Sequence, residues 1–233
     1  VRELHATTPL VDTWHIDVLA DALERVAKGE ITRLIINLPP RCLKSLAASI
    51  ALPVWMHGRD PSLKIMSIAG SKELAGDFER TTQDLIKAPR LRAVFPHLKP
   101  EGRRGNLYLP HGGQRISGVV GGVLVGRGAD LIVIDDPIAP AHVHDAARRN
   151  AVKKWFDAEV IQRLNDKKTG RVVVVMQRLH HDDLCGHLLS GEQPWVRLNL
   201  PAIATKDEEW KLSRGSVLTR NKGEPLAPAI DSK

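Results

Sequence analysis

The chain has 233 residues, with 34 lysines and arginines against 27 acidic residues, 42% hydrophobic residues and 4% aromatic residues. This composition excludes a disordered chain and a collagen-like fibre, and the length suits one large domain, or one domain with a tail. The net charge of +7 favours a polyanionic partner, and nucleic acid is the first candidate.

The two cysteines are too few and too far apart for a disulfide framework, which favours a reducing compartment. Cys42 is interpreted as a small filler side chain rather than a nucleophile. The apolar stretches are well short of the ~20 residues that a membrane helix needs, and the N-terminus lacks the apolar core of a signal peptide. We therefore expect a cytoplasmic chain with no membrane partner.

Apolar runs rich in β-branched residues predict buried strands, each followed by a segment with helical spacing. The strands are predicted at 34–38, 64–69, 131–134 and 171–176, and the helices at 44–53, 71–87, 146–164 and 181–189. Pro53 is expected to interrupt or kink the first helix. The Gly-, Pro- and Arg-rich stretch 89–128 predicts hairpins or loops, and 206–233 predicts a linker or surface arm. Buried strands that alternate with helices predict an α/β fold, a mainly parallel sheet with helices on both faces.

The junction between the first strand and the first helix has the features of a phosphate-binding loop. Lys44 and Ser45 open the helix, where free N–H groups and the helix dipole favour a phosphate. In such a loop the lysine reaches the β- and γ-phosphates and the hydroxyl binds Mg²⁺. However, Leu38 and Leu43 stand where the usual pattern G-x-x-x-x-G-K-[ST] has glycines. A surface lysine at a helix start is therefore the alternative interpretation.

The predicted strand 131–134 ends in two carboxylates, Asp135 and Asp136. Ligands of open α/β sheets bind at this edge, so Asp135 is a candidate to hold Mg²⁺ through water. Asp136 is a candidate to orient or deprotonate an attacking water. Asp-Asp-Pro is also good turn chemistry, which leaves a capped turn as the alternative. The carboxylates together with a Lys-Ser loop favour phosphoryl transfer.

The predicted strand 171–176 delivers Gln177 and Arg178 to the same edge, where an amide can sense a γ-phosphate or position water. The alternative interpretation is that Gln177 and Arg178 only mark the point where the chain leaves the core at the end of the strand. The His, Asp and Cys side chains of 180–187 are candidate ligands of a metal site, but their spacing matches no ligand pattern. A helix N-terminal role for Asp182 or Asp183 is the simpler interpretation.

Several sequence blocks stand in a fixed order along the chain. They are 14–17 (WHID), 34–45 (LIINLPPRCLKS), 126–130 (GRGAD) running into 135–137 (DDP), 163–166 (RLND), 176–184 (MQRLHHDDL) and 200–204 (LPAIA). In this order they resemble the N-terminal ATPase domain of the terminase large subunit, the DNA-packaging motor of tailed phages and prophages. The resemblance covers nearly the whole chain.

This resemblance implies a P-loop NTPase fold that binds ATP and Mg²⁺. The family's deviant phosphate loop carries Pro-Pro-Arg before Lys-Ser. The implied nucleotide-binding residues are Pro39, Pro40, Arg41, Cys42, Leu43, Lys44, Ser45, Trp14 and His15, the last two at the adenine, and Ser45 and Asp135 hold the metal. The implied catalytic residues are Lys44, Asp135, Asp136, Arg41, Gln177 and Arg127.

Three of these roles come from the resemblance alone. Arg41 is implied to contact the phosphates, and Gln177 with Arg178 matches the motif that couples hydrolysis to movement. Arg127 stands where some relatives place an arginine finger that acts on a neighbouring subunit.

The chain departs from the family pattern at two positions. Asp136 replaces a catalytic Glu of many related motors, and Leu43 replaces a Gly of many relatives. Both departures bear on the hydrolysis rate more than on nucleotide binding.

The resemblance assigns 1–204 to the ATPase domain and 205–233 to a linker toward a ribonuclease H-like nuclease domain that this chain does not include. We therefore expect no nuclease activity. The implied function is Mg²⁺-dependent ATP hydrolysis that translocates double-stranded DNA into a procapsid, in the bacterial host cytoplasm. The implied partners are the portal protein, the small terminase subunit and further copies in a ring.

Two alternatives stay open, a P-loop DNA helicase or translocase and a degraded prophage remnant that binds DNA without ATPase activity. The residues that contact DNA are not readable from the sequence, because basic side chains also form ordinary solvated faces. The candidates are Arg103, Arg104, Arg148, Arg149, Lys153 and Lys154.

Overall fold

The computed structural model describes residues 13–103, 106–122 and 126–226. The helices are α1 (Trp14–Lys28), a π-helical segment (Leu46–Ala51) that runs into α2 (Leu52–Arg59), α3 (Lys72–Lys87), α4 (Pro89–Val94), α5 (Ala146–Trp155) with a π-helical and a 3₁₀ extension (Phe156–Val160, Ile161–Arg163), and α6 (Leu184–Ser190). Two further 3₁₀ turns are Pro110–Gly112 and Pro140–His142. Within the described ranges, no helix is long and apolar enough to span a bilayer.

The strands are β1 (Arg33–Asn37), β2 (Lys64–Ala69), β3 (Glu101–Arg103), β4 (Asn106–Tyr108), β5 (Gln114–Val119), β6 (Leu131–Asp135), β7 (Arg171–Val175), β8 (Val196–Asn199), β9 (Glu208–Lys211) and β10 (Val217–Arg220). The first eight form one sheet in the order β3-β4-β5-β2-β6-β7-β1-β8. From β5 to β8 every neighbouring pair is parallel, and only the β3-β4-β5 edge is antiparallel. Strand β7 therefore separates β1 from β6.

The sheet is covered by helices on both faces because its strands are apolar on both sides. Leu34 and Val173 pack with residues of α1 and α2 in one core cluster. Their strand neighbours Ile35 and Val174 point the other way and pack with residues of α5 and α6. This arrangement confirms the predicted α/β fold with a mainly parallel sheet between two helical layers.

The first helix differs from its prediction at Pro53. The helix does not end there: Pro53 is the second residue of α2, and the chain stays helical to Arg59. Pro53 lies inside a continuous helix, directly after the π-helical segment, and the Ser49 carbonyl, four residues earlier, accepts a hydrogen bond from Arg115 Nη2 in place of the N–H that proline lacks. The predicted helix at 181–189 begins only at Leu184, where Asp183 caps it by accepting a hydrogen bond from the Gly186 N–H at 2.8 Å.

The described part of the predicted linker contains the β9–β10 hairpin. Trp210 of the hairpin stacks on Trp14 with a ring-centroid distance of 4.8 Å. The buried Arg220 guanidinium lies 3.3 Å from the Glu208 carboxylate and donates to the carbonyls of Pro201, Ala202 and Glu224. The hairpin therefore packs on α1, while the linker role stays a prediction. Residues 1–12, 227–233 and Arg104 lie outside the described residues.

Candidate functional site

The carboxyl ends of three adjacent strands form one ledge on the sheet. Ile36 pairs with Val175 across β1 and β7, and Val175 pairs with Asp135 across β7 and β6. Because the strands are parallel and end in register, the residues that follow them lie side by side. The segments that meet at this ledge are the loop after β1, the acidic pair at the end of β6 and the polar residues after β7.

The loop after β1 keeps a glycine-like backbone although it has no glycine. Arg41 has a φ of 63° and Leu43 a φ of 59°, both in the left-handed region. An L-residue with a Cβ adopts this region at a cost of roughly 1–2 kcal/mol. Leu43 thus occupies a backbone conformation that glycine favours, at the position where the usual sequence pattern has a glycine.

Lys44 connects this loop to the acidic strand end. Its side chain is buried, and its Nζ lies 3.2 Å from Oδ2 of Asp136. The Asp136 N–H donates to the Val175 carbonyl at 2.8 Å, and the Gln177 N–H lies 3.4 Å from Oδ1 of Asp136. The lysine and the carboxylate predicted for one site are therefore in contact, and the backbone after β7 holds the carboxylate.

Asp135 is fully buried beside this pair and accepts two hydroxyl hydrogen bonds. Ser45 Oγ donates to Oδ1 at 3.0 Å, and Ser49 Oγ donates to Oδ2. Burial raises the pKa of Asp135 to about 7, and the Asp136 charge also raises it, while the Ser49 hydrogen bond and the Lys44 charge lower it. A carboxylate and a hydroxyl are the hard oxygen ligands that Mg²⁺ prefers, and a divalent cation would offset the desolvation of Asp135.

The other residues of the predicted loop lie at its rim or in the core. Arg41 and Pro40 are exposed, and Pro39 is half-buried. Cys42 is 5% exposed and packs in the core cluster with α1, as expected for a filler side chain. After β7, the Arg178 Nε lies 3.0 Å from an oxygen of Asp183, the residue that caps α6.

Trp14 packs against the hairpin, and His15 contacts the loop after β1. His15 is 1% exposed, and its Nδ1 lies 2.8 Å from the Thr13 hydroxyl. Burial lowers the pKa of His15, and a hydrogen bond with the Cys42 backbone opposes that shift. Trp14 already stacks on Trp210. A direct contact of either ring with a base would need these contacts to open, so the adenine role stays a prediction.

Arg127 precedes the amino-terminal end of β6, whereas the ledge lies at the carboxyl end of that strand. Asp135 ends the strand, which advances about 3.3 Å per residue. The Arg127 side chain is exposed. Arg127 therefore does not line the ledge of its own chain, and its role toward a neighbouring copy stays a prediction.

The His- and Asp-rich segment near α6 is used for internal ion pairs. Asp182 pairs with Arg149 and Lys153, and His187 Nε2 lies 2.9 Å from Asp157. Across the described residues, no group of three or more His, Cys, Asp or Glu side chains is placed to hold a metal ion. Arg149 and Lys153, two of the candidate DNA contacts, are thus committed to Asp182.

Two residues that contact the ledge, Ser49 and Gly70, have no place in the predictions from sequence. Gly70 follows β2, and its N–H donates to the Asp135 carbonyl at 3.0 Å. A Cβ at Gly70 would overlap the carbonyl oxygen of Asp136. The glycine thus permits the close approach of the β2 and β6 ends, and the spacing Ser45-x₃-Ser49 does not by itself indicate the second hydroxyl.

Replacing Gly70 with alanine is expected to lower the free energy of unfolding by roughly 1–3 kcal/mol, because the backbone after β6 must move away from the new methyl group. Gly76→Ala, inside α3, is the matched control, since its Cβ would meet only an Arg80 nitrogen at 3.9 Å. That control is expected to gain stability from helix propensity. Urea unfolding of both variants measures the difference, and equal stabilities would contradict the close approach at Gly70.

The comparison with solved structures agrees with this arrangement at the level of the fold. The chain is similar to the HK97 bacteriophage large terminase, with a TM-score of 0.54 and 16% identity over 88% of this chain and 42% of that chain. Two structures of the Thermus phage P74-26 large terminase ATPase domain, one of them a mutant, have TM-scores of 0.49 and 0.44 and identities of 15% and 17%. They cover 84% and 66% of those chains, and 87% and 75% of this one.

No protein-family model matches the chain, and no curated protein matches it in sequence. The fold and the ledge define the class, an α/β P-loop NTPase fold. Within that class, the chain has the fold of a phage large terminase, and it spans less than half of the HK97 protein.

Proposed function

We propose that the chain is the ATP-hydrolysing motor domain of a phage terminase large subunit. The contact between Lys44 and Asp136, beside the Ser45–Asp135 hydrogen bond, carries this proposal. Helix capping or turn chemistry alone would not require a buried lysine, two carboxylates and a hydroxyl at one sheet edge. The terminase fold of the HK97 protein supports the choice of motor.

The loop residues have the chemistry to bind the triphosphate. Backbone N–H groups of the loop and the start of its helix favour a polyanion, and Lys44 supplies the charge for the β- and γ-phosphates. A bound phosphate would replace Asp136 as the ion-pair partner of Lys44. The Asp136 carboxylate would then be free to contact water. Arg41, exposed at the rim, is available for a phosphate contact with its planar fork.

Asp136 is proposed to orient or deprotonate the attacking water. It lies at the carboxyl end of β6, held by the Val175 carbonyl and near the Gln177 N–H. Ser45 and Asp135 are the residues that would hold Mg²⁺, which neutralises developing phosphate charge when bound. Asp136 is one methylene shorter than glutamate, so the water must sit closer to the strand end than in motors with Glu.

The segment after β7 is proposed to couple hydrolysis to movement. Gln177 is next to Asp136, and Arg178 is bound to the cap of α6, so a change at the γ-phosphate has a short route to that helix. Arg127 would act on the ledge of a neighbouring copy in a ring. Double-stranded DNA, the portal protein and the small subunit complete the proposed motor, in the host cytoplasm.

The test is ATP turnover by the purified chain with Mg²⁺, with and without double-stranded DNA. We expect slow turnover alone and faster turnover with DNA, because copies assembled around DNA would supply Arg127 to each other's sites. An arginine finger contributes about 10³-fold or more in comparable enzymes. Unwinding of a forked duplex would instead favour a helicase. Salt-sensitive DNA binding without any ATP affinity would favour a remnant and contradict the proposal.

A further inference from the structure

The buried carboxylate of Asp135 has a separate hydroxyl donor for each oxygen. Ser45 donates to Oδ1 at 3.0 Å, and Ser49 donates to Oδ2. Ser49 is 1% exposed and Asp135 is 0% exposed, so water does not compete for either hydrogen bond. Ser45 opens the helix after the phosphate loop, as a Mg²⁺ ligand does in such loops, whereas no such role accounts for Ser49.

Ser49 lies within the π-helical segment Leu46–Ala51. The segment has i→i+5 hydrogen bonding, as at Leu52, whose N–H donates to the Ala47 carbonyl. A π-helical turn is rare, and such turns occur frequently at functional sites. The helix therefore has an unusual local geometry at the turn that carries the second hydroxyl.

Arg115 of β5 fixes the backbone of this turn. Its guanidinium is fully buried and donates from Nη2 to the Ser49 carbonyl at 3.3 Å and from Nη1 to the Ser117 hydroxyl at 3.1 Å. Burying a guanidinium is costly, and hydrogen bonds to it repay part of that cost. The cation is thus placed to hold the Ser49 carbonyl while the Ser49 hydroxyl donates to Asp135.

We infer that Ser49 is a positioning residue for the metal site: it holds Oδ2 of Asp135 so that Oδ1 faces Ser45, and Arg115 holds Ser49. This inference rests on the proposed function. With the Ser45 hydroxyl committed to Mg²⁺, Ser49 is the hydroxyl that keeps the Asp135 carboxylate in place. Groups that orient a metal ligand typically change metal affinity by about 10–100-fold when they are removed.

The test compares three substitutions at Ser49 with a matched control. Ser49→Ala removes the hydroxyl, Ser49→Cys replaces it with a slightly larger and weaker donor, and Ser49→Thr keeps the hydroxyl. Ser67→Ala is the control, because Ser67 is 4% exposed on β2 and its hydroxyl has no hydrogen-bond partner among the described residues. The readout is the Mg²⁺ concentration that half-saturates binding of a fluorescent ATP analogue, with EDTA as the metal-free reference.

We expect Ser49→Ala to need about 10-fold more Mg²⁺ and Ser49→Cys to need several-fold more, with nucleotide binding in EDTA unchanged. Ser49→Thr and Ser67→Ala should behave as the wild type. If Ser49→Ala does not fold, Ser49→Cys decides. A wild-type Mg²⁺ requirement in whichever variant decides overturns the inference alone. Absence of Mg²⁺-dependent nucleotide binding in the wild type overturns the proposed function and the inference with it.

Discussion

Lys44→Ala is expected to weaken ATP binding and to reduce ATP turnover by about 100-fold or more, the usual effect of removing one group that stabilises transition-state charge. The buried Nζ lies 3.2 Å from Asp136, so the substitution removes the proposed phosphate contact and leaves a carboxylate without its ion-pair partner. Calorimetric titration of ATP and a steady-state phosphate-release assay measure the two effects.

The matched control is Lys87→Ala, which removes an exposed lysine at the end of α3, far along the chain from the loop. It carries the same charge change and should leave binding and turnover at wild-type values. Unfolding curves of both variants separate loss of function from loss of fold. If Lys44→Ala turns over ATP at the wild-type rate, the assignment of the phosphate loop is wrong.

Asp136→Asn is expected to lower kcat by about 10²–10⁴-fold while the apparent affinity for Mg²⁺-ATP changes little. The amide keeps the size of the side chain and loses the charge that is proposed to orient or deprotonate water. Because Asp135 and Ser45 are untouched, the proposed metal ligands remain. The kinetic constants are obtained from turnover over a range of ATP concentrations.

Asp84→Asn, on the exposed face of α3, is the control with the same charge change away from the ledge. Its kcat should match the wild type. An unchanged kcat in Asp136→Asn would remove Asp136 from the chemistry and leave Asp135 as the carboxylate to test. A loss of Mg²⁺-ATP binding instead would mean that Asp136, rather than Asp135, is the metal-binding residue.

The sequence is sufficient to predict the central strands and the ledge. Strands β1, β2, β6 and β7 are continuous apolar runs, and such runs are buried on both faces in a parallel sheet. Polar residues directly after these runs must lie at one edge. For this reason Lys44, Asp136 and Gln177 could be brought together without any knowledge of the helices.

Some elements were not predicted, for different reasons. Helix α1 was missed although its buried residues Val18, Leu19, Leu23 and Val26 have helical spacing. Strand β8 is a short edge strand with Val196 46% exposed, so its pattern is weak. The β9–β10 hairpin is polar and was interpreted as part of a linker, but the Trp14–Trp210 stack and the buried Arg220 fix it on α1. Such pairs join residues far apart in sequence, where no local pattern indicates them.

Two features of the site were also hidden in the sequence. A pattern search scores Leu43 as a missing glycine, although its φ of 59° lies in the region that glycine favours. Ser49 has the same spacing from Ser45 as countless helical serines, and only the position of Asp135 between them shows that both hydroxyls bind one carboxylate. Backbone conformation and strand register, not residue type, decide both features.

ATP turnover by the wild-type chain, measured beside Lys44→Ala with Mg²⁺ and double-stranded DNA, tests the central claim most directly. The proposed ledge predicts Mg²⁺-dependent turnover that rises with DNA in the wild type and falls by about 100-fold in the variant. Turnover that is absent from the wild type under all these conditions, or equal in the two proteins, would contradict it.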